Sequence, residues 1–160
     1  MKTYIQHTEE TAPEGSKAIL GAIKGKLGFI PNLMATMAEA PALVESYMTM
    51  MAIFEKTSLT PTEREVILMT NNRLNGCTYC MAAHTTIANM AGVDADVVDA
   101  LRDGTPIADP KLEALRTFAV IINESRGWAS EAQVDALIAA GYTQQTVLEV
   151  ITGTALKVLS

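Results

Sequence analysis

The sequence predicts an all-α fold, and three observations lead to it. Apolar residues recur at steps of three and four over segments of ten or more residues, whereas alternating strand-like runs are scarce. Helix start and stop signals bound these segments. The 160 residues are 49% apolar and 19% charged, which is typical of a globular protein with a sizeable core. We therefore expect one compact multi-helix domain over residues 1–160.

The first three helices are expected before residue 56. Pro13–Leu27 carries apolar residues on one stripe, and Gly28–Asn32 breaks that helix. A short second helix follows the break. Pro41 suits the first turn of a third helix, where its missing N–H costs nothing, and this helix is expected to run to about Glu55.

The clearest helix start in the sequence is at Thr60. Glu63 stands three residues later, the spacing of a capping box, and Pro61 takes the first helical position. This helix is expected to run to about Leu74. Asn75–Gly76 then suits the left-handed backbone that ends a helix.

Apolar periodicity predicts further helices over the rest of the chain, with no long linker or charge run between them. They are predicted at about Cys77–Ala91, Asp94–Arg102, Lys111–Ser125, Ser130–Ala139 and Thr143–Leu159. The helical pattern continues to Ser160, so we expect the natural C-terminus to lie further on. Trp128, beside Gly127 at a helix junction, is expected to be a packing anchor.

Charge and apolar runs exclude several classes of partner. The formal net charge of -6 repels phosphate backbones and anionic membranes, so neither nucleic acid nor a membrane is expected as a partner. No stretch approaches the roughly 18 apolar residues that span a bilayer. The segment Met1–Glu10 lacks the apolar core of a secretory signal. We therefore expect a cytoplasmic protein.

Two cysteines, Cys77 and Cys80, are the only ones in the chain. With two residues between them they cannot form the framework of a disulfide-stapled secreted domain. In a reducing cytoplasm such a close pair is more often catalytic or metal-binding than structural. The pair is therefore the first candidate for a functional site.

A histidine completes the candidate constellation. On a helix, Cys77, Cys80 and His84 lie at positions i, i+3 and i+7, on one face within about two turns. A helix start favours a negative thiolate, and a neighbouring imidazole can take the thiol proton. The Cys-x-x-Cys pair can also close to a disulfide and reopen. His84 stands one turn after Cys80 and is a better-placed base for Cys80 than for Cys77.

Glu65 is the fourth candidate residue, and it lies in the preceding helix. It stands within the run Val66–Met69, so its carboxylate either points to solvent or is buried to carry a proton. The sequence leaves both alternatives open.

Simpler interpretations exist for the same residues. The cysteines could be small core hydrophobes, and His84 a hydrogen-bonded core imidazole. A structural zinc site needs four ligands, and only the distant His7 could join the three without a carboxylate. We therefore expect no bound metal.

The spacing of the four candidates resembles a known family. A glutamate, eleven residues, Cys-x-x-Cys, three residues and a histidine characterise the alkylhydroperoxidase D-like, peroxidase-related branch of the carboxymuconolactone decarboxylase family. Leu27–Leu33, the Pro41 helix and Leu59–Glu65 are also similar to that branch, so most of the chain is covered. The resemblance implies an all-helical fold with the core family segment at about residues 42–120.

The resemblance also implies a cofactor-free, thiol-dependent peroxidase. Cys80 would attack a hydroperoxide, with His84 and Glu65 as proton relay, and Cys77 would then condense with the oxidised Cys80. A dithiol reductant, a thioredoxin-like or lipoyl protein, would reopen the disulfide. The reverse assignment, in which the more exposed Cys77 attacks, stays open. The family further implies a homo-oligomer, a trimer or hexamer.

One residue departs from the family pattern. Tyr79 stands where the best-studied members carry a second histidine, and a phenol does not relay protons at neutral pH. We therefore expect a weaker peroxidase or another substrate. Two other functions stay open: a redox-responsive binding or assembly protein without turnover, and lactone decarboxylation through His84 and Glu65 without sulfur.

Overall fold

A computed structural model describes residues 4–160, and over that range the chain is all-helical, as predicted. Its nine helices are α1 (Glu14–Leu27), α2 (Asn32–Met37), α3 (Pro41–Phe54), α4 (Pro61–Leu74), α5 (Thr78–Met90), α6 (Ala95–Asp103), α7 (Pro110–Glu124), α8 (Glu131–Ala139) and α9 (Gln144–Val158). None of these helices has the length and apolar character that crossing a bilayer requires. Residues 1–3 lie outside the described residues. They are the first three residues of the Met1–Glu10 segment, in which no secretory signal is expected.

Local sequence signals set the helix ends. The Thr60 hydroxyl accepts the Glu63 N–H (3.2 Å), and the Glu63 carboxylate accepts the Thr60 N–H (2.8 Å), which is the predicted capping box. Pro61 opens α4 without losing a hydrogen bond. Past the end of α4, Gly76 adopts φ 65°, a left-handed conformation that glycine takes without strain. This turn brings the chain from α4 into the Cys-x-x-Cys segment.

Two expectations about the second half of the chain are wrong. Helix α9 ends at Val158 and does not continue to Ser160. Trp128 is 85% exposed and is therefore no packing anchor. It follows a left-handed turn at Arg126 and Gly127, which places it between α7 and α8 and outside the buried face of either helix.

The structure divides into two compact units. Of the described residues, the first comprises those up to Ile53 together with Leu159–Ser160. Its core contains the fully buried Leu20 and the buried Ile23 on one face of α1, as the apolar stripe predicts. Leu27, at the end of that stripe, is exposed. The interpretation of residues 1–160 as a single domain stays a prediction.

The second unit, Phe54–Val158, is built around α4. This helix packs against α5, α6, α7 and α9. Every residue from Glu65 to Asn72 is buried, so α4 has neighbours on all sides over two turns. Polar residues of this stretch are therefore held in the interior. On a surface helix the same residues would be exposed to solvent.

Helix α9 approaches α4 closely at Gly153, and this contact gives a stability prediction. A Cβ at position 153 would lie 2.8 Å from both Ile67 and Phe54. Replacing Gly153 by alanine is therefore expected to lower the free energy of unfolding by about 1–3 kcal/mol, measured by urea denaturation. Gly25→Ala is the matched control, since its Cβ would meet nothing within 4 Å, and is expected to stabilise by about 0.5–1 kcal/mol. Equal stability of Gly153→Ala and the wild type would contradict the close packing.

Candidate active site

The Cys-x-x-Cys segment forms the start of α5. Cys77 is the N-cap residue, and its Sγ accepts the backbone N–H of Cys80 at 3.1 Å. The backbone N–H of Cys77 in turn donates to the carbonyl of Asn72 at the end of α4 (3.0 Å). The two cysteines are joined by a disulfide, with their Cα atoms 5.3 Å apart. Once reduced, the Cys77 sulfur would keep a position that favours a thiolate, because N-cap N–H groups stabilise negative charge.

The two sulfur-bearing residues differ in access. Cys80 is only 3% exposed, whereas Cys77 is partly exposed. Cys77 also lines an open cavity of about 690 Å³, here called the Cys77 cavity, whose wall is supplied by α4, α5, α6 and the turn between α4 and α5. A molecule arriving through this cavity meets Cys77, while Cys80 lies behind it in the protein interior.

Glu65 and His84 form a buried pair. The carboxylate Oε2 of Glu65 lies 2.9 Å from Nδ1 of His84, and the two residues are 7% and 5% exposed. Of the two alternatives for Glu65, the structure therefore has the buried one. Because the carboxylate engages Nδ1, it orients the imidazole and leaves Nε2 as the nitrogen that can exchange a proton with another group. Cys80 stands one helical turn before this imidazole on α5.

Lys157 is a charged residue near this pair that the sequence analysis missed. It comes from α9 and is 2% exposed. Burial lowers the pKa of Lys157 to about 8, and the charge of Glu65 partly opposes that shift. The positive charge of Lys157 therefore acts on the Glu65 carboxylate from inside the protein.

The buried Lys157 gives a pH-dependent stability prediction. Its pKa is lower in the folded than in the unfolded chain, so from about pH 8 to 10.5 the unfolded chain binds more protons and stability rises with pH. At pH 7 the folded protein carries the full cost of the buried charge. Lys157→Met is therefore expected to raise the free energy of unfolding by on the order of 1–3 kcal/mol at pH 7, with a smaller gain at pH 9.5.

Urea denaturation at both pH values measures this difference. Lys26→Met, at an exposed position of α1, is the matched control and is expected to show no such pH dependence. A gain from Lys157→Met that is equal at pH 7 and pH 9.5 would contradict the account of the buried charge.

A network of amides holds the helices behind the site. Asn71 donates to the Thr154 hydroxyl (3.3 Å) and accepts from Asn123 (2.8 Å), which links α4 to α9 and α7. Asn75 donates to the carbonyl of Lys157 (3.1 Å) and fixes the end of α9. The sequence carries a signal for this network: asparagine is a poor helix former and a poor core residue, yet Asn71 follows the apolar run of α4.

Two other residues considered with the site are not members of its buried pair. Tyr79 is 45% exposed, in contrast to the buried His84 and Glu65. His7 is engaged by Glu39, with Nε2 and Oε2 2.5 Å apart. Among residues 4–160, no group of three or more His, Cys, Asp or Glu side chains is arranged to hold a metal ion.

Fold and site together define a class of protein: a helical protein with a redox-capable Cys-x-x-Cys pair at a helix start and a buried carboxylate–imidazole pair beside it. Comparisons with known proteins agree with this class. The profile of the carboxymuconolactone decarboxylase family matches residues 38–109. A search of curated proteins finds no match.

Two solved structures share the fold. One is described as an alkylhydroperoxidase AhpD core, a peroxidase-related protein from Ralstonia eutropha JMP134; it is 25% identical, with a TM-score of 0.85, and the match covers 98% of this chain and 84% of that one. The other is a peroxidase-related protein from Silicibacter sp. TM1040, 19% identical, with a TM-score of 0.77 over 91% of this chain and 78% of that one. The second likeness shows the fold alone. The match of residues 38–109 to the carboxymuconolactone decarboxylase family and the fold shared with an alkylhydroperoxidase AhpD core agree with the resemblance that the motif spacing predicts.

Proposed function

We propose that this protein is a thiol-dependent peroxidase that reduces hydroperoxides through a Cys77–Cys80 dithiol/disulfide cycle. The observation that carries the proposal is the combination of a disulfide at a helix start with a buried imidazole, held by Glu65, one turn beyond Cys80. One cycle converts a hydroperoxide and two thiols into an alcohol, water and a disulfide. The protein supplies the two thiols, so no cofactor is required.

Peroxide reduction begins at Cys80 in the reduced protein. His84 takes the thiol proton through Nε2, because Nδ1 is engaged by Glu65. The Cys80 thiolate attacks one peroxide oxygen, the O–O bond breaks, and the leaving alkoxide takes the proton back from His84. Cys80 is oxidised to a sulfenic acid and the hydroperoxide is reduced to an alcohol.

Cys77 completes the oxidation. Its thiol attacks the Cys80 sulfenic acid, the new S–S bond forms, and the hydroxyl leaves as water. The Cα separation of 5.3 Å is within the usual range for a disulfide, so this step requires no large backbone movement. The resulting disulfide is the state of the structure.

A dithiol donor then restores the reduced protein. Its thiolate attacks Cys77, which is the more accessible sulfur, and the Cys80 thiolate leaves and is protonated through His84. The second donor thiol displaces Cys77 and closes the donor's own disulfide. We propose a thioredoxin-like or lipoyl protein as the class of donor.

This division of labour between the sulfurs follows from two differences. Cys80 is closer in the helix to the imidazole that must remove a proton, whereas Cys77 is the sulfur that an external thiol can reach. The cytoplasmic location and the trimeric or hexameric assembly stay predictions.

A multiple-turnover assay tests the proposed function. Catalytic amounts of protein are incubated with cumene hydroperoxide and dithiothreitol, and both peroxide loss and dithiol oxidation are followed. We expect many equivalents of peroxide to be consumed per protein. Oxidation that stops at one equivalent with several dithiols would instead favour a redox-responsive binding protein. Activity of a Cys77→Ser, Cys80→Ser double variant on a carboxymuconolactone would favour lactone chemistry.

A further inference from the structure

Lys157 is a buried charged residue that the proposed reaction cycle does not use. It lies on α9 in a stripe of buried residues at steps of three and four that includes Gly153 and Thr154. Both of these residues meet α4: a Cβ at Gly153 would lie 2.8 Å from Ile67, and Thr154 accepts from Asn71 (3.3 Å). Lys157 follows one helical turn later and is 2% exposed. Helix α9 therefore carries an amine into the interior beside α4, the helix of Glu65.

The charge of Lys157 has Glu65 as its electrostatic partner. Among residues 4–160, no carboxylate lies within ion-pair distance of the Lys157 ammonium, so the two charges act on each other without direct contact. Other charged groups of α9 and of the helices packed against it, α4, α7 and α8, are engaged elsewhere or exposed. Those with partners of their own are Glu63 with Lys111, Glu113 with Arg116, and also Arg64, Arg73 and Glu149. Those exposed to solvent are Glu124, Glu131 and Asp135.

The contact between Glu65 and His84 fits two positions of the hydrogen atoms. An ionised Glu65 accepts the hydrogen of Nδ1, and the lone pair of the neutral imidazole then lies on Nε2. A protonated Glu65 instead donates to Nδ1, and the imidazole hydrogen then lies on Nε2. Only the first arrangement allows Nε2 to take a proton from the Cys80 thiol. The charge of Glu65 therefore decides whether His84 is a base for Cys80.

Lys157 supplies the charge that favours the first arrangement. A buried carboxylate is costly unless a positive charge compensates it. The attraction between the two groups is mutual, so the ammonium stabilises the negative charge of Glu65. Burial lowers the pKa of Lys157 to about 8, so this compensation is present at pH 7 and is lost as the pH rises through about 8.

The effect of Lys157 on stability agrees with a functional role. Its buried charge is expected to destabilise the folded protein at pH 7. Residues that violate the rules of stable packing in this way are found preferentially at functional sites. For the same reason, Lys157→Met is expected to fold, so its effect on the site can be measured in an intact protein.

We propose that Lys157 is a positioning residue for proton transfer at Cys80: its ammonium keeps Glu65 ionised, and the Glu65 carboxylate holds the hydrogen of His84 on Nδ1. This inference rests on the proposed function only in taking His84 as the group that accepts the Cys80 proton. Without the ammonium, Glu65 takes up a proton from solvent and donates it in a hydrogen bond to Nδ1. The imidazole hydrogen then lies on Nε2, and the base is lost while the fold remains.

Nitrogen-15 NMR of the histidine side chains tests the proposal without any peroxide. Long-range proton–nitrogen correlation spectra distinguish the Nδ1–H form of a neutral imidazole from the Nε2–H form. At pH 7 we expect the Nδ1–H form of His84 in the wild type and the Nε2–H form in Lys157→Met. Lys157→Arg keeps the positive charge and is expected to restore the wild-type form. At pH 9.5 the wild type and Lys157→Met should agree, because the wild type then lacks the charge as well.

His7 is an internal control in the same spectra, because its carboxylate partner is the solvent-exposed Glu39. Its signals should be the same in the wild type and in Lys157→Met. Lys26→Met removes a positive charge from an exposed position of α1 and should leave His84 unchanged. An Nδ1–H form of His84 that persists in Lys157→Met at pH 7 overturns the proposal. So does a change that Lys157→Arg does not reverse.

The rate of the peroxide step gives a second readout. Single-turnover oxidation of Cys80 at pH 7 should be roughly tenfold slower in Lys157→Met than in the wild type, a part of what a general base contributes. This difference should disappear at pH 9.5, and a deficit of the same size at both pH values would indicate a structural role and overturn the proposal. A His84 tautomer that depends on Lys157 in a protein without hydroperoxide turnover would support the role of Lys157 while refuting the peroxidase.

Discussion

Replacing Cys80 by serine is expected to abolish hydroperoxide-dependent oxidation of a dithiol donor. A serine hydroxyl is not ionised near neutral pH, so His84 would have no thiolate to generate and the peroxide no nucleophile to meet. We expect a loss of at least roughly a thousandfold in kcat/KM for the hydroperoxide, the scale on which removing an activated nucleophile acts. The substitution is nearly isosteric at a buried site, so the fold should be retained, which circular dichroism checks.

Cys77→Ser is the matched variant, and it separates the two roles. It should also lose turnover, but it should still consume one equivalent of hydroperoxide and stop at a Cys80 sulfenic acid. Undiminished turnover of Cys80→Ser would contradict the proposed cycle. If the sulfenic acid instead formed at Cys77 in Cys80→Ser, and none formed in Cys77→Ser, the two cysteines would have the reverse roles.

The second large effect is expected at the buried Glu65–His84 pair. His84→Asn removes the group that takes the thiol proton, and the rate of the peroxide step should fall by roughly 10²–10³. Glu65→Gln should cost less, roughly tenfold, because a glutamine oxygen still accepts the Nδ1 proton at 2.9 Å but no longer stabilises the imidazolium. Stopped-flow measurement of Cys80 oxidation under single-turnover conditions reports both losses.

The pair of His7 with Glu39 provides the control for these substitutions. It joins the same side-chain types at 2.5 Å elsewhere in the chain, so His7→Asn and Glu39→Gln should leave the peroxide step unchanged. The pH dependence of the rate distinguishes a role of His84 in proton transfer from a purely structural role. His84→Asn should recover toward the wild-type rate as the pH rises through about 8.5, where an ordinary thiol ionises without a base. A deficit that is constant with pH would contradict the role of His84.

Local signals made the helical framework predictable from the sequence. The capping box at Thr60, the proline at position 41 and the break after Leu27 act over three or four residues, and each marks a helix end in the structure. The site motif was equally local on α5, since Cys77, Cys80 and His84 lie within two turns. Such features depend on hydrogen bonds and steric limits that neighbouring residues determine.

The remaining features depend on contacts between distant parts of the chain. From the sequence alone, the Glu65 side chain could point to solvent or lie in the interior. The structure shows that it is buried, because α4 packs against four other helices. Lys157 lies more than 90 residues from Glu65, and nothing in its neighbourhood in the sequence indicates that it is buried. The position of Trp128 beside Gly127 at a helix junction predicts a packing anchor, yet a turn places this side chain outside. Which helix faces meet is set by tertiary packing, and periodicity does not encode it.

The most direct test of the central claim is mass spectrometry of the reduced protein after one equivalent of hydroperoxide, with alkylation of the remaining thiols. The account predicts the loss of two hydrogens, protection of Cys77 and Cys80 from alkylation, and reversal by a dithiol. In Cys77→Ser it predicts one added oxygen at Cys80. A protein in which both cysteines remain alkylatable, with oxygen added only to some of its nine methionines, would contradict it.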